Sequence, residues 1–204
     1  MFLRALILLF LWLSTKVEQR NLHERWEGQL QRYIAPTGVV KYSDWKKEAH
    51  ALHAYLKALE DHPPQHYWTP TDCKAYWINV YNAATVALVL KHYPLESVRK
   101  IDSPWETEVF QWEDQSMSLK AIEERLLKMN DPRILFALHR ATVSGPDLSR
   151  EPYRSSTLEE QLQAAAIKFL NDPKQNQLQK EVSQLSRIFL WQFRHFGSLE
   201  QRLK

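Results

Sequence analysis

The sequence predicts a helix-rich α+β fold in which a small sheet packs around one buried central helix. Residues 75–90 are apolar almost all round, which is typical of a helix enclosed by a core. Most of the remaining chain has apolar residues at helical spacing, and only two short segments, 108–117 and 134–138, have a strand-like pattern. No Gly/Ser linker divides the 204 residues, so residues 17–204 are expected to form a single globular domain.

The composition excludes several classes of protein. Hydrophobic residues make up 44% of the chain and charged residues 25%, which is not the balance of a disordered or fibrous protein. A net charge of +3 does not indicate a nucleic-acid-binding protein, so no nucleic-acid partner is expected. The chain has four glycines and no glycine-rich phosphate loop. Its single cysteine, Cys73, excludes an internal disulfide framework and multi-cysteine metal sites, so neither a metal nor a cofactor is expected.

The N-terminus has the pattern of an export signal. Arg4 precedes nine uninterrupted apolar residues, 5–13, far fewer than the about 20 that span a bilayer as a helix. We therefore predict that residues 1–16 are a signal peptide or leader and that the protein is exported, to the periplasm or beyond the cell. A single thiol suits such an oxidising compartment. Two alternatives remain open, a cytosolic protein whose first helix is buried and a protein held at a membrane by an uncleaved leader.

Three helices are predicted in the first half of the chain. Apolar residues at helical spacing indicate a helix over about 17–34. Ser43 can cap a second helix, which ends at the following pair of prolines. Thr71 or Asp72 is expected to cap the third, the central helix, which runs to about residue 92.

The sheet is predicted in the second half. A hairpin over Glu108–Met117 is expected to turn at Glu113-Asp114. Ser118 then opens a helix that ends near residue 129. The apolar run Ile134–Leu138 is short enough to be a strand buried on both faces.

A loop and two helices complete the predicted chain. Residues 139–156 contain glycine and prolines and are expected to form the loop. Thr157 and Glu160 have the spacing of a capping box for a helix that reaches residue 170. The aromatic-rich tail, 186–196, is expected to be helical.

The central helix carries a stripe of polar side chains. Asn79, Asn82 and Thr85 are three residues apart and therefore share one narrow face. A buried amide without a partner costs about 1–3 kcal/mol, so the stripe must face polar groups. In the structural interpretation, which is the commoner arrangement, the asparagines bind the backbone of a neighbouring loop. In the functional interpretation they are hydrogen-bond donors in a ligand pocket.

The chain resembles the domain-of-unknown-function family 547. The resemblance centres on Ala75–Ala83, which reads AYWINVYNA. Further matching segments follow in family order: GVVKY at 38–42, LKAL at 56–59, HYPLES at 92–97, SLKAIE at 118–123, DPRI at 131–134, Tyr153 and LSRIF at 185–189. It therefore covers about 38–196. Similar proteins are commonly exported bacterial proteins without an established activity, so the resemblance implies export but no reaction.

Four positions depart from the family pattern. Similar proteins carry histidine where this chain has Glu124 and Leu135, and cysteine where it has Arg140 and Gly145. If a thiol and an imidazole there are nucleophile and base, this chain has lost both, because arginine stays protonated and cannot replace a thiolate. The resemblance then implies a degenerate site, in which Glu123 and the two helix asparagines remain from the polar pattern.

Cys73 and His139 are the alternative nucleophile and base. A cysteine at the start of a buried helix and a histidine after a later strand follow the chain order of papain-like and transglutaminase-like enzymes. The positive end of the helix dipole lowers a thiol pKa. On this alternative the protein is a thiol-dependent hydrolase or acyltransferase. However, Cys73 projects beside Trp77 and away from Asn82, and it is equally compatible with a packing role.

The loop after the predicted strand is rich in arginine. Arg140, Arg150 and Arg154 have guanidinium groups that suit a carboxylate or phosphate ligand. Because acidic residues are interleaved with them, internal ion pairs are the alternative. We expect a pocket framed by the central helix, the strand 134–138 and this loop.

The predicted function is binding more than catalysis. The expected ligand contacts are Asn79, Asn82, Glu123 and the three loop arginines. Their chemistry suits a small anionic ligand, with a protein partner as the alternative.

Overall fold

The computed structural model of the chain describes residues 23–177 and 184–191. The helices in these ranges are α1 (23–33), α2 (Tyr42–Lys47), α3 (Ala49–Asp61), α4 (Pro70–His92), α5 (Leu119–Leu127), α6 (Ile134–Ala137), α7 (Leu158–Leu170) and α8 (Ile188–Trp191). Strands β1 (Glu108–Trp112) and β2 (Gln115–Ser118) form an antiparallel hairpin, and 3₁₀ turns span Val98–Lys100 and Ser155–Thr157. The predicted leader, 1–16, residues 17–22 and the end of the tail, 192–196, lie outside the described residues. The predicted helix-rich α+β fold is confirmed.

Helix α4 is the centre of the fold. It is buried on every side from Ala75 to Leu90, apart from the half-buried Ala87, and it packs against α2, α3, α5 and β1. Its cap differs from the prediction, since Thr69 is the N-cap residue and Pro70 starts the helix. The Thr69 hydroxyl accepts from the Asp72 N–H at 3.1 Å, and the Asp72 carboxylate accepts from the Thr69 N–H at 2.9 Å. Asp72 is therefore the reciprocal partner in a capping box and not the cap itself.

The single helix predicted from Ser43 is wrong. The chain forms two helices instead, because Glu48 leaves the helical region with φ −120° and ψ 27°. Ser43 is exposed and lies within α2, whose N-cap, Lys41, makes no side-chain cap. Trp45 of α2 is fully buried and stacks on Tyr33, with ring centroids 5.0 Å apart. Burial of this large ring orients α2 differently from α3.

The strand predicted at 134–138 is also wrong. Ile134–Ala137 is a helical turn, and only Leu138 after it is extended. The turn is started by Asp131, whose carboxylate accepts from the Arg133 N–H at 3.2 Å. Every residue of the run is buried, so a short helix has the same uninterrupted apolar pattern as a buried strand. In the described ranges the sheet therefore consists of the hairpin, which turns at residues 113–114 as predicted.

The C-terminal helices form a second, smaller core. Helix α7 covers the predicted range, but its predicted capping box is wrong, because Thr157 makes no side-chain cap. The Thr157 hydroxyl instead donates to the Gln161 side chain at 3.3 Å, and a 3₁₀ turn leads into the helix. Phe136 of α6, Phe169 of α7 and Ile188 of α8 meet in a buried cluster. No helix in the described parts of the chain is both long and apolar enough to pass through a bilayer.

The buried ring of His23 makes the fold sensitive to acid. Its Nδ1 lies 2.8 Å from the Tyr55 hydroxyl oxygen. Burial, and then the positive charge of Arg154, lower the pKa of His23 from 6.5 to about 4. Between these values the unfolded chain binds a proton that the folded chain does not. The stabilisation is therefore complete above pH 6.5 and is lost as the pH falls towards about 4.

Urea unfolding at a series of pH values measures this dependence. We expect the unfolding midpoint to fall between pH 6.5 and about 4, and to fall less in a His23→Gln variant. His139 contributes in the same direction, since burial lowers its pKa as well. His50→Gln, at an exposed position, is the control and retains the full dependence. An identical pH profile for the wild type and His23→Gln would contradict the prediction.

Candidate functional site

Two asparagines of α4 hold the loop that follows α6. Asn79 donates to the Tyr153 carbonyl at 2.7 Å and accepts from the Tyr153 N–H at 3.0 Å. Asn82 donates to the Ala137 carbonyl at 3.0 Å and accepts from the His139 N–H at 2.8 Å. Each side-chain amide thus donates to one backbone carbonyl and accepts from one backbone N–H, as the backbone of a neighbouring strand does. These bonds correspond to the structural interpretation of the polar stripe, and neither asparagine lines the cavities described below.

His139 is buried and both of its ring nitrogens are engaged. Nδ1 lies 3.1 Å from the Pro146 carbonyl oxygen and Nε2 lies 3.0 Å from the Tyr42 hydroxyl oxygen. A carbonyl only accepts, so the proton of the neutral ring is on Nδ1. Nε2 therefore accepts from the Tyr42 hydroxyl, and its lone pair is not available to a thiol.

Cys73 lies in the first turn of α4, far from His139. It is nine residues before Asn82, which corresponds to about 13 Å along a helix axis. The structure contains no hydrogen bond between Cys73 and His139, whose backbone is held at Asn82. Burial, and then the carboxylate of Asp72, raise the pKa of the Cys73 thiol and outweigh the lowering expected from the helix dipole. The geometry does not support the thiol and imidazole pair that the sequence suggested.

Alkylation of the single cysteine tests this assignment. We expect iodoacetamide to label native Cys73 slowly at neutral pH, with a midpoint above that of the urea-unfolded chain, because only the thiolate reacts. Asp72→Asn removes a nearby negative charge and is expected to lower the midpoint. A native midpoint below that of the unfolded chain would contradict this and restore the thiol hydrolase alternative.

Two of the three loop arginines are paired within the protein. Arg140 binds Glu123 in a buried ion pair, and Tyr81 donates to the other oxygen of that carboxylate at 3.5 Å. Arg154 binds Glu27 at 2.7 Å. These contacts match the internal ion pairs given as the alternative to ligand binding. Glu123 likewise has a structural partner, so these side chains are engaged within the protein, and anion binding by them stays a prediction.

The positions that differ from the family pattern lie in different surroundings. A Cβ atom added to Gly145 would lie 3.6 Å from the Cβ of Arg140 and 2.8 Å from the hydroxyl oxygen of Thr142, so a side chain at this position requires the loop to shift. Leu135 is fully buried in the cluster of α6 and α7, whereas Glu124 is exposed.

The α7 cavity, of about 360 Å³, lies between α7, the loop before Gly38 and the loop that the asparagines hold. Its apolar surface includes Phe136, Leu148, Ala164, Ala165 and Phe169, and its charged residues are Asp147, Arg150, Glu151, Lys168 and Asp172. Lys168 donates to Asp147 at 2.9 Å, and Arg150 makes one long hydrogen bond, of 3.4 Å, to the Gln31 carbonyl. Within the part of the chain that the structure describes, most donors of these two cations are thus left for a ligand.

The location of this cavity differs from that of the predicted pocket. Its walls include Phe136 of α6 and the predicted loop, with Arg150, but the central helix does not line it and no strand does. Helix α7 supplies the remaining wall through Gln161, Ala164 and Lys168, which share one face. Small and polar residues at this spacing, on a helix that buries its other face, are the signal that sequence reasoning missed.

The basic cleft is a second concave region, of about 640 Å³. Four chain segments meet there, and they contribute three cations, Arg99, Lys174 and Arg187, and a single carboxylate, Glu96. Because these residues are far apart in the chain, no local motif indicates them. Within 23–177 and 184–191, no three histidine, cysteine or acidic residues are grouped as a metal site requires.

Comparison with known proteins identifies the family of the chain. A family model described as "Protein of unknown function, DUF547" matches residues 66–170, which include α4 and the loop held by its asparagines. The segments at 38–42, 56–59 and 185–189 that resemble the family lie outside the match, which is shorter than the predicted 38–196. No curated protein and no solved structure matches the chain. Since the match covers more than half of the 204 residues, this protein belongs to the DUF547 family of unknown function.

Proposed function

We propose that this protein is an exported, non-catalytic binding protein whose ligand occupies the α7 cavity. The observation that carries the proposal is the combination of an apolar surface, with Phe136 and Phe169, and two cations that have unused donors. The volume, about 360 Å³, is within the range of small-molecule sites, about 300–1,000 Å³. Catalysis by the single thiol has less support, because the pKa of Cys73 is raised and His139 is engaged elsewhere.

The charges around the cavity favour a zwitterionic ligand. Arg150 and Lys168 can bind a carboxylate, while Asp147, Glu151 and Asp172 can bind an amine. Because carboxylates outnumber cations, the purely anionic ligand expected from the sequence is not favoured in this cavity. An amino acid or short peptide with an apolar side chain fits both the charges and the aromatic surface.

The cavity wall is held in position before a ligand binds. Gly38 has φ 85°, and a Cβ atom there would lie 2.7 Å from a carboxylate oxygen of Asp147. Glycine adopts this backbone conformation without strain, and a side chain here would displace the carboxylate of Asp147. The asparagines of α4 fix the two ends of the loop that contains Asp147, through the carbonyls of Ala137 and Tyr153. Such preorganisation reduces the ordering that binding would otherwise require.

Calorimetric titration with phenylalanine and with alanyl-phenylalanine tests the proposal. We expect at least one of them to bind, and N-acetylphenylalanine amide, which lacks both charges, to bind more weakly. Arg150→Ala is expected to weaken binding about tenfold, the effect of losing one hydrogen bond to a charged group. Lys120→Ala is the control, because Lys120 is an exposed cation that does not line the cavity.

A cavity-filling variant gives the second arm of the test. Ala164 is exposed and lines the cavity, so Ala164→Trp is expected to abolish binding with little change in stability. If the peptide ligands bind equally to the wild type and Ala164→Trp, the site lies elsewhere. If neither ligand binds the wild type, the proposed ligand class is wrong.

Cell fractionation and N-terminal sequencing test the export proposal. On bacterial expression of the full chain, we expect the periplasmic protein to begin near residue 16. Leu9→Arg interrupts the apolar run and is expected to retain the protein in the cytoplasm, whereas Gln19→Arg, outside the run, is not. Uncleaved protein in the membrane fraction, released by deletion of 1–16, would instead favour the alternative of a leader that holds the protein at a membrane.

A further inference from the structure

The described residues of the basic cleft have an excess of positive charge. Arg99, Lys174 and Arg187 are exposed, and within 23–177 and 184–191 none of them forms an ion pair. Glu96 is the single carboxylate among the described lining residues, whose net charge is therefore +2. The α7 cavity differs, since carboxylates are in excess there. The cleft therefore attracts a ligand that carries two negative charges.

A hydroxyl group in the wall of the cleft complements these cations. Ser97 accepts from the Arg99 N–H at 3.3 Å, which leaves its own O–H free to donate outwards.

We propose that the basic cleft binds the phosphate group of a phosphomonoester, independently of the α7 cavity. A phosphomonoester carries nearly two negative charges at neutral pH and has three acceptor oxygens, which matches the charge of the cleft. The guanidinium groups of Arg99 and Arg187 can each bind two phosphate oxygens, and Lys174 adds a third cation. The volume of the cleft, about 640 Å³, and its polar lining do not select the chemical group to which the phosphate is attached.

The phosphate can belong to a soluble metabolite or to a lipid headgroup. Val143 is 97% exposed and Leu185 is 49% exposed, and both line the cleft. Apolar side chains beside cations are a pattern that suits the headgroup region of a bilayer. The experiment therefore needs one arm for each source.

The first arm is calorimetric titration with glycerol 3-phosphate, and the second is co-sedimentation with phosphatidylcholine vesicles that contain or lack phosphatidic acid, a phosphomonoester lipid. We expect binding in at least one arm, and weaker binding as salt is added, because the cations are exposed. Arg99→Gln, Lys174→Gln and Arg187→Gln are each expected to weaken it about tenfold. Arg32→Gln, another exposed arginine outside the cleft, is the matched control and is expected to bind as the wild type does.

Each outcome decides the proposal. Binding to glycerol 3-phosphate identifies a soluble ligand, and binding to phosphatidic acid vesicles alone identifies a lipid headgroup. Absence of binding in both arms, or equal weakening by Arg32→Gln, would overturn the proposal. Ala164→Trp separates the two sites, because it fills the α7 cavity and is expected to leave phosphate binding unchanged. Failure of the amino acid and peptide titrations thus has no bearing on the basic cleft.

Discussion

Replacement of Glu123 by alanine is expected to lower the free energy of unfolding by about 3–5 kcal/mol. Glu123 and Arg140 form an ion pair in which both side chains are about 90% buried. Without the carboxylate, the guanidinium remains in the interior, where its charge is poorly solvated. Tyr81, which is fully buried, loses the acceptor of its hydroxyl at the same time.

Urea unfolding of matched variants distinguishes an unpaired charge from loss of packing. The double variant Glu123→Leu with Arg140→Met retains apolar volume and is expected to recover most of the lost stability, because no buried charge remains. Glu124→Ala, at the adjacent exposed position, is expected to change the unfolding free energy by less than about 0.5 kcal/mol. Equal stabilities of Glu123→Ala and Glu124→Ala would show that the ion pair has no structural importance.

Replacement of Asn82 by alanine is expected to lower the free energy of unfolding by about 2–4 kcal/mol. The variant leaves the Ala137 carbonyl and the His139 N–H in the interior without their partner. The loop from residue 139 then loses one of its two attachments to α4. Because this loop forms a wall of the α7 cavity, we also expect weaker binding of the ligands proposed there.

Thr85 offers a control on the same face of the same helix. It is as buried as Asn82, but its hydroxyl has no hydrogen-bond partner among the described residues. Thr85→Val is therefore expected to leave the unfolding free energy unchanged or to raise it, since a buried hydroxyl without a partner is unfavourable. If Asn82→Ala and Thr85→Val unfold at the same urea concentration as the wild type, the amide does not hold the loop.

Local sequence signals predicted several elements correctly. The hairpin turn at Glu113-Asp114 and the cap of α5 at Ser118 depend on neighbouring residues alone. The Ser118 hydroxyl accepts from the Ala121 N–H at 3.2 Å, as a cap does in an isolated helix. The central helix was predicted from its apolar residues, because a helix that is apolar all round is stable in a folded protein only when it is enclosed.

The errors arose where distant contacts override local preference. The run from Ile134 to Leu138 has no periodicity, and its helical turn packs through Phe136 on Phe169, which is far away in the chain. The separation of α2 from α3 follows from the burial of Trp45 against α1. The sequence of each of these short segments does not show the distant residue on which it packs.

The candidate sites show the same division. The spacing of the asparagines indicates that they share one face and need polar partners. Only the position of the loop shows that these partners are backbone groups. Arg154, one of the predicted ligand contacts, pairs instead with Glu27, which is 127 positions away in the chain. The basic cleft joins Arg99 to Arg187 and has no counterpart in any one segment.

The sequence by itself determined the family, the buried central helix and the helix-rich α+β class, because apolar periodicity and a distinctive motif are properties of neighbouring residues. Only the tertiary structure decided which charges are paired internally and which remain available to a ligand. The physical reason is that ion pairs, hydrogen bonds and cavity walls depend on distances of a few ångströms between residues far apart in the chain. Arg140 and Arg150 are alike in sequence, and their surroundings make one a core ion pair and the other the wall of a cavity.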